Sequence, residues 1–437
     1  MASRRLRRVG VVLAAASIFS VAACGDSAGP DTQASAGGAG PVTIEYWGAA
    51  IGLDKAVAQY NQSQNKIKVN YSQIPAGSAG GYSKMLNAVK AGNAPCLGQI
   101  GYDTLTGFAT ADAVENVADY ADSSRDKFVP WAWQQAGFGD QVFGIPMDLG
   151  PQALFYRADL FAKHGITAPT TWDEFAAAAD KLHAADPAAY LTTLPQDAYD
   201  LGALTWQAGG KWFGAANNAW QVTIDSPETQ KVAQYWQGLL DKKVIVSEPL
   251  FDTAWYKDIQ EGRIAAFVGA VWASALIQKN APGAAGKWAV APMPQWTAGG
   301  KAAGNRGGSA TAVLKGCKNP KEATEAAVAL STDNDVVTSL IQNTGIYPAA
   351  ISGQELPALN QPSDYFGGKN IYPVFKEAAA NIAPGWMWGP TMSQAQPAFK
   401  DGLKKVGSGQ GTVAQLVTSV QTSTVNDMKA QGLSVVN

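Results

Sequence analysis

The chain has 437 residues, and its 33 Lys and Arg nearly balance its 35 Asp and Glu, for a net charge of −2. It carries only two histidines, His164 and His183, which argues against a multi-histidine metal site, and we expect no cofactor. A chain of this length exceeds one ordinary hydrophobic core, so two lobes are expected.

The first 23 residues have the pattern of an export signal. An uncharged, largely apolar run at 9–23 is too short to span a bilayer and ends in small residues; it follows four arginines, Arg4, Arg5, Arg7 and Arg8. We expect residues 1–23 to be removed as a signal peptide. Their loss takes away four arginines and no acidic residue, so the net charge falls from −2 to −6. That charge argues against nucleic acid or anionic lipid as a partner.

Cys24 directly follows Val-Ala-Ala, an arrangement that resembles the lipobox of bacterial lipoproteins. The resemblance implies a diacylglyceryl group on Cys24, and two acyl chains would anchor the protein stably to the outer face of the cell membrane. The alternative is an ordinary secretory signal followed by a free cysteine. Residues 25–41 follow Cys24 and are rich in Gly, Ala and Ser, which predicts a flexible tether between the lipidated cysteine and the globular body.

The other two cysteines are Cys96 and Cys317. An even number of cysteines in an oxidising compartment favours a disulfide between them, and two separate buried thiols are the alternative.

The first elements predict an α/β fold. Residues 42–47 alternate like a strand, 53–60 repeat at helical spacing, and 66–71 alternate again. A helix over 83–90 and a buried strand over 96–101 follow. This β-α-β alternation predicts a sheet with helices on both faces.

Later segments carry helix starts and possible crossings between lobes. Thr171 and Glu174 form a predicted capping box, and Ser226 and Asn319 each precede a proline at a first helical position. We expect the chain to cross between lobes at two Gly- and Pro-containing segments, 141–148 and 344–349.

Seven ordered motifs resemble extracellular solute-binding proteins of ATP-binding-cassette importers, in particular the carbohydrate-binding, maltose-binding-protein-like group of family 1. The motifs are FGIPMDLGPQALFYRADLF (143–161), PTTWDEFAAAADKL (169–182), EGRIAAFVGAVWA (261–273), WAVAPMP (288–294), GGSATAV (307–313), NPKEATEAAVAL (319–330) and TGIYPA (344–349).

The resemblance implies a periplasmic-binding-protein-like fold with two discontinuous lobes, a hinge and a ligand cleft between them. Lobe I would comprise residues 42–147 with 304–345, and lobe II residues 148–303 with 346–437. Closure on the solute would signal occupancy to a membrane permease. We expect a monomer that is not an enzyme.

Carbohydrate suits the composition, because a sugar offers an apolar face to aromatic rings and hydroxyls to carboxylates. The chain has 14 tryptophans. By the resemblance, Trp272 lies at a strand-to-helix turn whose aromatic side chain stacks on sugar, Trp386 and Trp388 on a late binding loop, and Asp103 where a carboxylate binds hydroxyls. The alternatives are a core role for Trp272, a helix cap for Asp103, and a plug of the Pro- and Gly-bracketed loop 383–390 for the late tryptophans.

Further candidates follow from their places along the chain. Asp148 comes just after a predicted crossing, where it would reach the cleft or cap a turn, and Gly308 and Ser309 would allow close backbone approach to a ligand. Trp47 and Gly48 end the first strand, at the edge where open α/β sheets bind ligands. By the resemblance, Asp197, Tyr199 and Trp206 lie in a segment that lines the second lobe. Tyr347, near the last predicted crossing, and Tyr82 are further candidates.

Two other functions remain open. A glycoside hydrolase would use a carboxylate pair such as Asp103 and Asp148, although no H-E-x-x-H, G-x-S-x-G or Ser/His/Asp pattern accompanies them. The same fold would also suit another solute, such as a polyamine, a glycerol phosphate or an iron chelate. Arg306, beside Gly307 and Gly308, is the feature that favours an anion.

Overall fold

The computed structural model describes residues 40–436. The predicted signal peptide, the lipidation site Cys24 and nearly all of the predicted tether lie outside these residues. Among residues 40–436, no helix combines the length and the apolar character that a membrane span requires.

The described residues form a mixed α/β structure. Its strands are β1 (Val42–Gly48), β2 (Ile67–Gln73), β3 (Leu97–Gly101), β4 (Gly137–Phe138), β5 (Gln141–Val142), β6 (Ile145–Arg157), β7 (Thr193–Pro195), β8 (Phe213–Ala216), β9 (Ala219–Val222), β10 (Val246–Glu248), β11 (Ala266–Ala270), β12 (Trp288–Ala291), β13 (Asn305–Val313), β14 (Tyr347–Pro348) and β15 (Val435–Val436).

Its α-helices are α1 (Leu53–Ser63), α2 (Gly81–Lys90), α3 (Tyr102–Thr110), α4 (Ala118–Ala121), α5 (Pro130–Gln135), α6 (Ala158–Lys163), α7 (Trp172–Ala185), α8 (Ala198–Gln207), α9 (Pro227–Asp241), α10 (Thr253–Glu261), α11 (Ala273–Asn280), α12 (Pro320–Thr332), α13 (Asn334–Thr344), α14 (Tyr372–Ala380), α15 (Met392–Gly407) and α16 (Val413–Ala430). The predicted α/β class and the β-α-β opening are confirmed.

An eight-stranded sheet runs in the order β11-β6-β13-β3-β1-β2, and β12 and β14 also pair with β6. β1 lies between β2 and β3 and is parallel to both, whereas β13 is antiparallel to β3 and β6. The carboxyl ends of β1, β2 and β3 therefore meet at one edge of the sheet, where ligands bind in open α/β sheets. Ser309 of β13 lies at this edge, opposite both Gly101 and Asp148.

The long strand β6 joins the two parts of this sheet. Its first residues pair with β13 and β14, and its last residues, from Gln152 on, pair with β11 and β12. The segment 141–148, at which we expect a crossing between lobes, thus contains β5 and the start of β6. Proline is tolerated here because Pro151 lies beside a register shift in the ladder, where a missing N–H costs little.

Side-chain caps begin two helices as predicted. Thr171 and Glu174 form the reciprocal capping box of α7, and the Ser226 hydroxyl accepts the Thr229 N–H at the start of α9. The predicted Asn319 cap is wrong, because its side chain makes no capping hydrogen bond, although Pro320 does begin α12.

Cys96 and Cys317 form a disulfide across 221 residues of sequence. The two cysteines lie just outside a strand pair in which Leu97 of β3 is opposite Val313 of β13. The bridge therefore clips together two adjacent strands that are far apart in sequence.

We expect the double variant Cys96→Ala/Cys317→Ala to unfold more easily. Cross-linking distant residues restricts the unfolded chain, so its loss should lower the free energy of unfolding by about 2–5 kcal/mol. Urea denaturation under non-reducing conditions measures the difference. As a control, a reductant should destabilise the native protein but not the variant; equal stability of the two proteins without reductant would contradict the prediction.

Candidate functional site

A cavity of 230 Å³ lies at the sheet edge where β1, β2 and β3 end. It brings together six of the predicted site residues: Tyr82, Asp103, Asp148, Trp272, Gly308 and Ser309. The remaining lining comes from neighbouring strand ends, loops and α2: Ala49, Ile74, Pro75, Gly77, Gly81, Met85, Gln99, Gly101 and Gly307. We call this space the first cavity. No lysine, arginine or histidine is among these lining residues.

Asp148 is held in the first cavity by β13. One of its carboxylate oxygens, Oδ1, accepts the Ser309 N–H at 2.9 Å and the Ser309 hydroxyl at 2.6 Å. Burial raises the pKa of Asp148 to about 6, and the two bonds from Ser309 oppose this rise. Within residues 40–436, the hydrogen bonds to the Asp148 side chain both go to Oδ1, so the other carboxylate oxygen is left for a ligand hydroxyl.

Asp103 lies in the first turn of α3 and does not cap that helix. Burial raises the pKa of its carboxyl group, while hydrogen bonds from the Thr104 and Tyr199 hydroxyls act in the opposite direction. The Tyr82 hydroxyl accepts the Gly101 N–H at 2.7 Å, just before this helix begins. Two buried carboxylates, Asp103 and Asp148, thus face one small cavity.

Gln99 is a lining residue that the sequence did not single out. Its carbonyl oxygen accepts the N–H groups of Ala49 and Ala50, and its amide nitrogen lies 3.1 Å from the Ser309 hydroxyl. A glutamine in a buried strand carries no motif of its own. Only its place near the end of β3 could have suggested it.

Glycine gives the cavity its close backbone wall. Gly307 and Gly308 have φ values of 76° and 81°, in the left-handed region that favours glycine. A Cβ atom on Gly308 would lie 2.7 Å from the Asp148 carbonyl oxygen and 2.9 Å from the Tyr102 ring. A side chain at position 308 would therefore displace the strand that holds Asp148.

Trp272 is half-buried and immediately precedes α11. Its indole N–H donates to the Arg306 carbonyl oxygen at 3.1 Å, and the Arg306 guanidinium lies over the indole, 4.8 Å from the ring centroid. The guanidinium also pairs with Asp200 at 2.8 Å and with Asp197 at 3.4 Å. Because these two carboxylates already pair with Arg306, this arginine no longer favours an anionic ligand.

A second cavity, of 610 Å³, is lined by both tryptophans of the late loop, Trp386 and Trp388. The Trp386 ring stacks on Trp206, with centroids 5.1 Å apart, and Trp388 meets Tyr199 edge to face at 5.7 Å. The loop therefore packs on an indole cluster and also lines a cavity. Tyr102 lines this second cavity, and its ring lies beside Gly308 of the first cavity.

Six predicted site residues line neither cavity. The Lys84 ammonium lies over the Trp47 ring, and Gly48 precedes the lining residue Ala49. Of the other four, Asp197 caps α8 and Tyr199 contacts Trp388 through its ring. Trp206 donates its indole N–H to the Ala383 carbonyl oxygen, and Tyr347 is fully buried in β14.

Two solved structures share the fold at 29% sequence identity. One is the binding protein of an ABC transporter from B. animalis subsp. lactis Bl-04, in complex with β-1,6-galactobiose, with a TM-score of 0.80. The other is the galacto-N-biose/lacto-N-biose I-binding protein of Bifidobacterium longum, in complex with lacto-N-biose, with a TM-score of 0.81. Each match covers 91% of this chain and 100% of the other.

Two relatives of lower identity are also sugar-binding proteins. The lactose-binding protein of Rhizobium radiobacter is 25% identical over 54% of this chain, and the match spans 57% of that protein, less than two thirds of its length. The arabinooligosaccharide-binding protein of Bacillus subtilis (strain 168) is 22% identical, over 82% of this chain and 86% of that protein.

A family model described as bacterial extracellular solute-binding protein matches residues 48–336, well over half of the chain. With the two-lobe α/β fold and a ligand-sized cavity at the sheet edge, this match shows that the chain belongs to the bacterial extracellular solute-binding protein family.

Proposed function

We propose that the protein binds a neutral di- or oligosaccharide outside the cell and delivers it to the permease of an ABC importer. The observation that carries this proposal is the first cavity, in which Asp103 and Asp148 lie with the indole of Trp272 and no basic side chain. Buried carboxylates need hydrogen-bond donors, and a sugar supplies several hydroxyls.

The indole and the glycines suit the rest of a sugar ring. Trp272 offers a flat apolar surface to the C–H face of a pyranose, as aromatic side chains do in ligand pockets. Gly307 and Gly308 let the main chain approach the ring closely because neither carries a side chain. In the first cavity, an anionic solute such as a glycerol phosphate would find two carboxylates and no cation among the lining residues.

The second cavity supports a ligand longer than one sugar ring. Its lining residue Tyr102 lies beside Gly308 of the first cavity, and Trp386 and Trp388 line it as well. Two relatives with 29% identity were solved with β-1,6-galactobiose and lacto-N-biose, which supports the same size class. We therefore assign one sugar unit to each cavity.

We further propose that the mature protein is a monomer held on the outer face of the cell membrane by a lipid on Cys24. The family is described as extracellular, which fits an exported protein. Closure of the two lobes around the sugar would present the occupied form to the permease. We propose binding without chemical change of the solute, since the family and these relatives are binding proteins.

A thermal-shift screen tests the proposal. The panel contains β-1,6-galactobiose, lacto-N-biose, lactose and an arabinooligosaccharide, with spermidine and glycerol phosphate as rival solutes. A sugar at one hundred times its dissociation constant should add about 2.7 kcal/mol of stability. Stabilisation by spermidine or glycerol phosphate alone would refute the sugar proposal, and release of new reducing ends would refute binding without chemistry.

We predict that Trp272→Ala weakens sugar binding by about 2 kcal/mol, or roughly 30-fold, because it removes the aromatic surface at the first cavity. Isothermal titration calorimetry measures the loss. Trp296→Ala is the matched control, because Trp296 is also half-buried but lines neither cavity. Equal losses in the two variants would contradict a direct role for Trp272.

We predict that sugar affinity falls by about tenfold between pH 7.5 and pH 5. The pKa of Asp148 is raised to about 6, so its carboxylate becomes protonated as the pH falls through this window and loses acceptor strength. Calorimetric titrations at several pH values measure this loss. Asp148→Asn should bind more weakly at pH 7.5 and lose most of the pH dependence; an equally steep profile in that variant would assign the titration to another group.

A further inference from the structure

Arg306 occupies a bulge in the strand that borders the first cavity. The pairing of β13 with β6 shifts register between Asn305 and Gly308, so Arg306 and Gly307 lie outside the regular ladder. Bulges of this kind redirect side chains and are common beside functional sites. The position is tightly built, since a Cβ on Gly150 would lie 2.0 Å from the Arg306 carbonyl oxygen.

Both the backbone and the side chain of Arg306 contact Trp272. The carbonyl oxygen accepts the indole N–H, and the guanidinium covers one face of the indole. Phe251 also packs against the indole, with ring centroids 5.2 Å apart and planes at 52°. The guanidinium is 5.6 Å from the Phe251 ring, so Arg306 contacts both aromatic residues.

The guanidinium is itself fixed by α8. It pairs with Asp200 in the first turn and with Asp197, whose carboxylate caps the helix by accepting the Tyr199 and Asp200 N–H groups. The side chain of Arg306 is only 14% exposed and does not line the first cavity. A planar guanidinium can pair with carboxylates through its edge and stack on a ring through its face, which an ammonium cannot do.

We propose that Arg306 is a positioning residue for sugar binding: it holds the Trp272 indole in its binding orientation while α8 holds the guanidinium. The expected effect of Arg306 on sugar affinity rests on the proposed function. The ring orientation itself does not depend on a ligand.

Fluorine NMR of protein labelled with 5-fluorotryptophan tests the orientation without any ligand. The Trp272 resonance is identified by its loss in Trp272→Phe. Arg306→Lys should shift or broaden this resonance, because lysine keeps a positive charge near Asp197 and Asp200 but loses the planar face. An unmoved resonance in a folded Arg306→Lys protein would overturn the proposal.

Arg263→Lys is the matched control. Arg263 also bridges two carboxylates, those of Glu248 and Asp258, and lies 5.4 Å from the Tyr190 ring, but it lines neither cavity. The control should leave the Trp272 resonance unchanged. If it moves that resonance as far as Arg306→Lys does, the effect is a general loss of packing and the proposal fails.

A double-mutant cycle tests the consequence for binding. The probe is β-1,6-galactobiose, or the sugar that stabilises the protein most in the thermal-shift screen. Arg306→Lys should weaken binding at least tenfold in the native protein and less than threefold in the Trp272→Phe background, because the two residues act as one unit. Equal losses in both backgrounds would overturn the proposal. If no sugar binds the native protein, the proposed function fails while the NMR result still decides the positioning role.

Discussion

The irregular pairing of β6 with β13 is the constraint on which the site depends. The two strands form a regular ladder only in part, because the register shifts between Asn305 and Gly308 and again between Ser309 and Ala310. Asp148 of β6 and Ser309 of β13 are opposite each other in this irregular segment. The same segment therefore joins the two parts of the sheet and supplies one wall of the first cavity.

Such an arrangement needs residues that tolerate unusual backbone geometry. Gly307 and Gly308 adopt positive φ values, and Gly150 allows the Arg306 carbonyl oxygen to come close. The backbone irregularity leaves Arg306 free to face α8 and Trp272, while Ser309 remains in position to hold Asp148. Arg306 is thus paired with aspartates at the start of α8, and no lysine, arginine or histidine is among the residues that line the first cavity with Asp103 and Asp148.

Much of the fold was predictable from local patterns. The β-α-β opening follows from alternating and helical periodicity, and the caps at Thr171 and Ser226 follow from side chains that satisfy exposed N–H groups at helix starts. Asn319 has the same sequence signature but makes no capping hydrogen bond, and its ψ of 61° departs from the extended ψ of 158° and 159° at Thr171 and Ser226. The course of β6 was also missed, since Pro146 and Pro151 argue against a strand unless a partner with shifted register accommodates them.

The sequence by itself determined the α/β class, the resemblance to the family and six residues that line the first cavity, because these depend on periodicity and on motifs of contiguous residues. Only the tertiary structure decided that Gln99 joins them, that Arg306 is paired with aspartates, and that Trp206 and Tyr347 are buried without lining either cavity. The reason is physical: a side chain's partners are set by strand register and by contacts between segments that are hundreds of residues apart. No local pattern encodes those contacts.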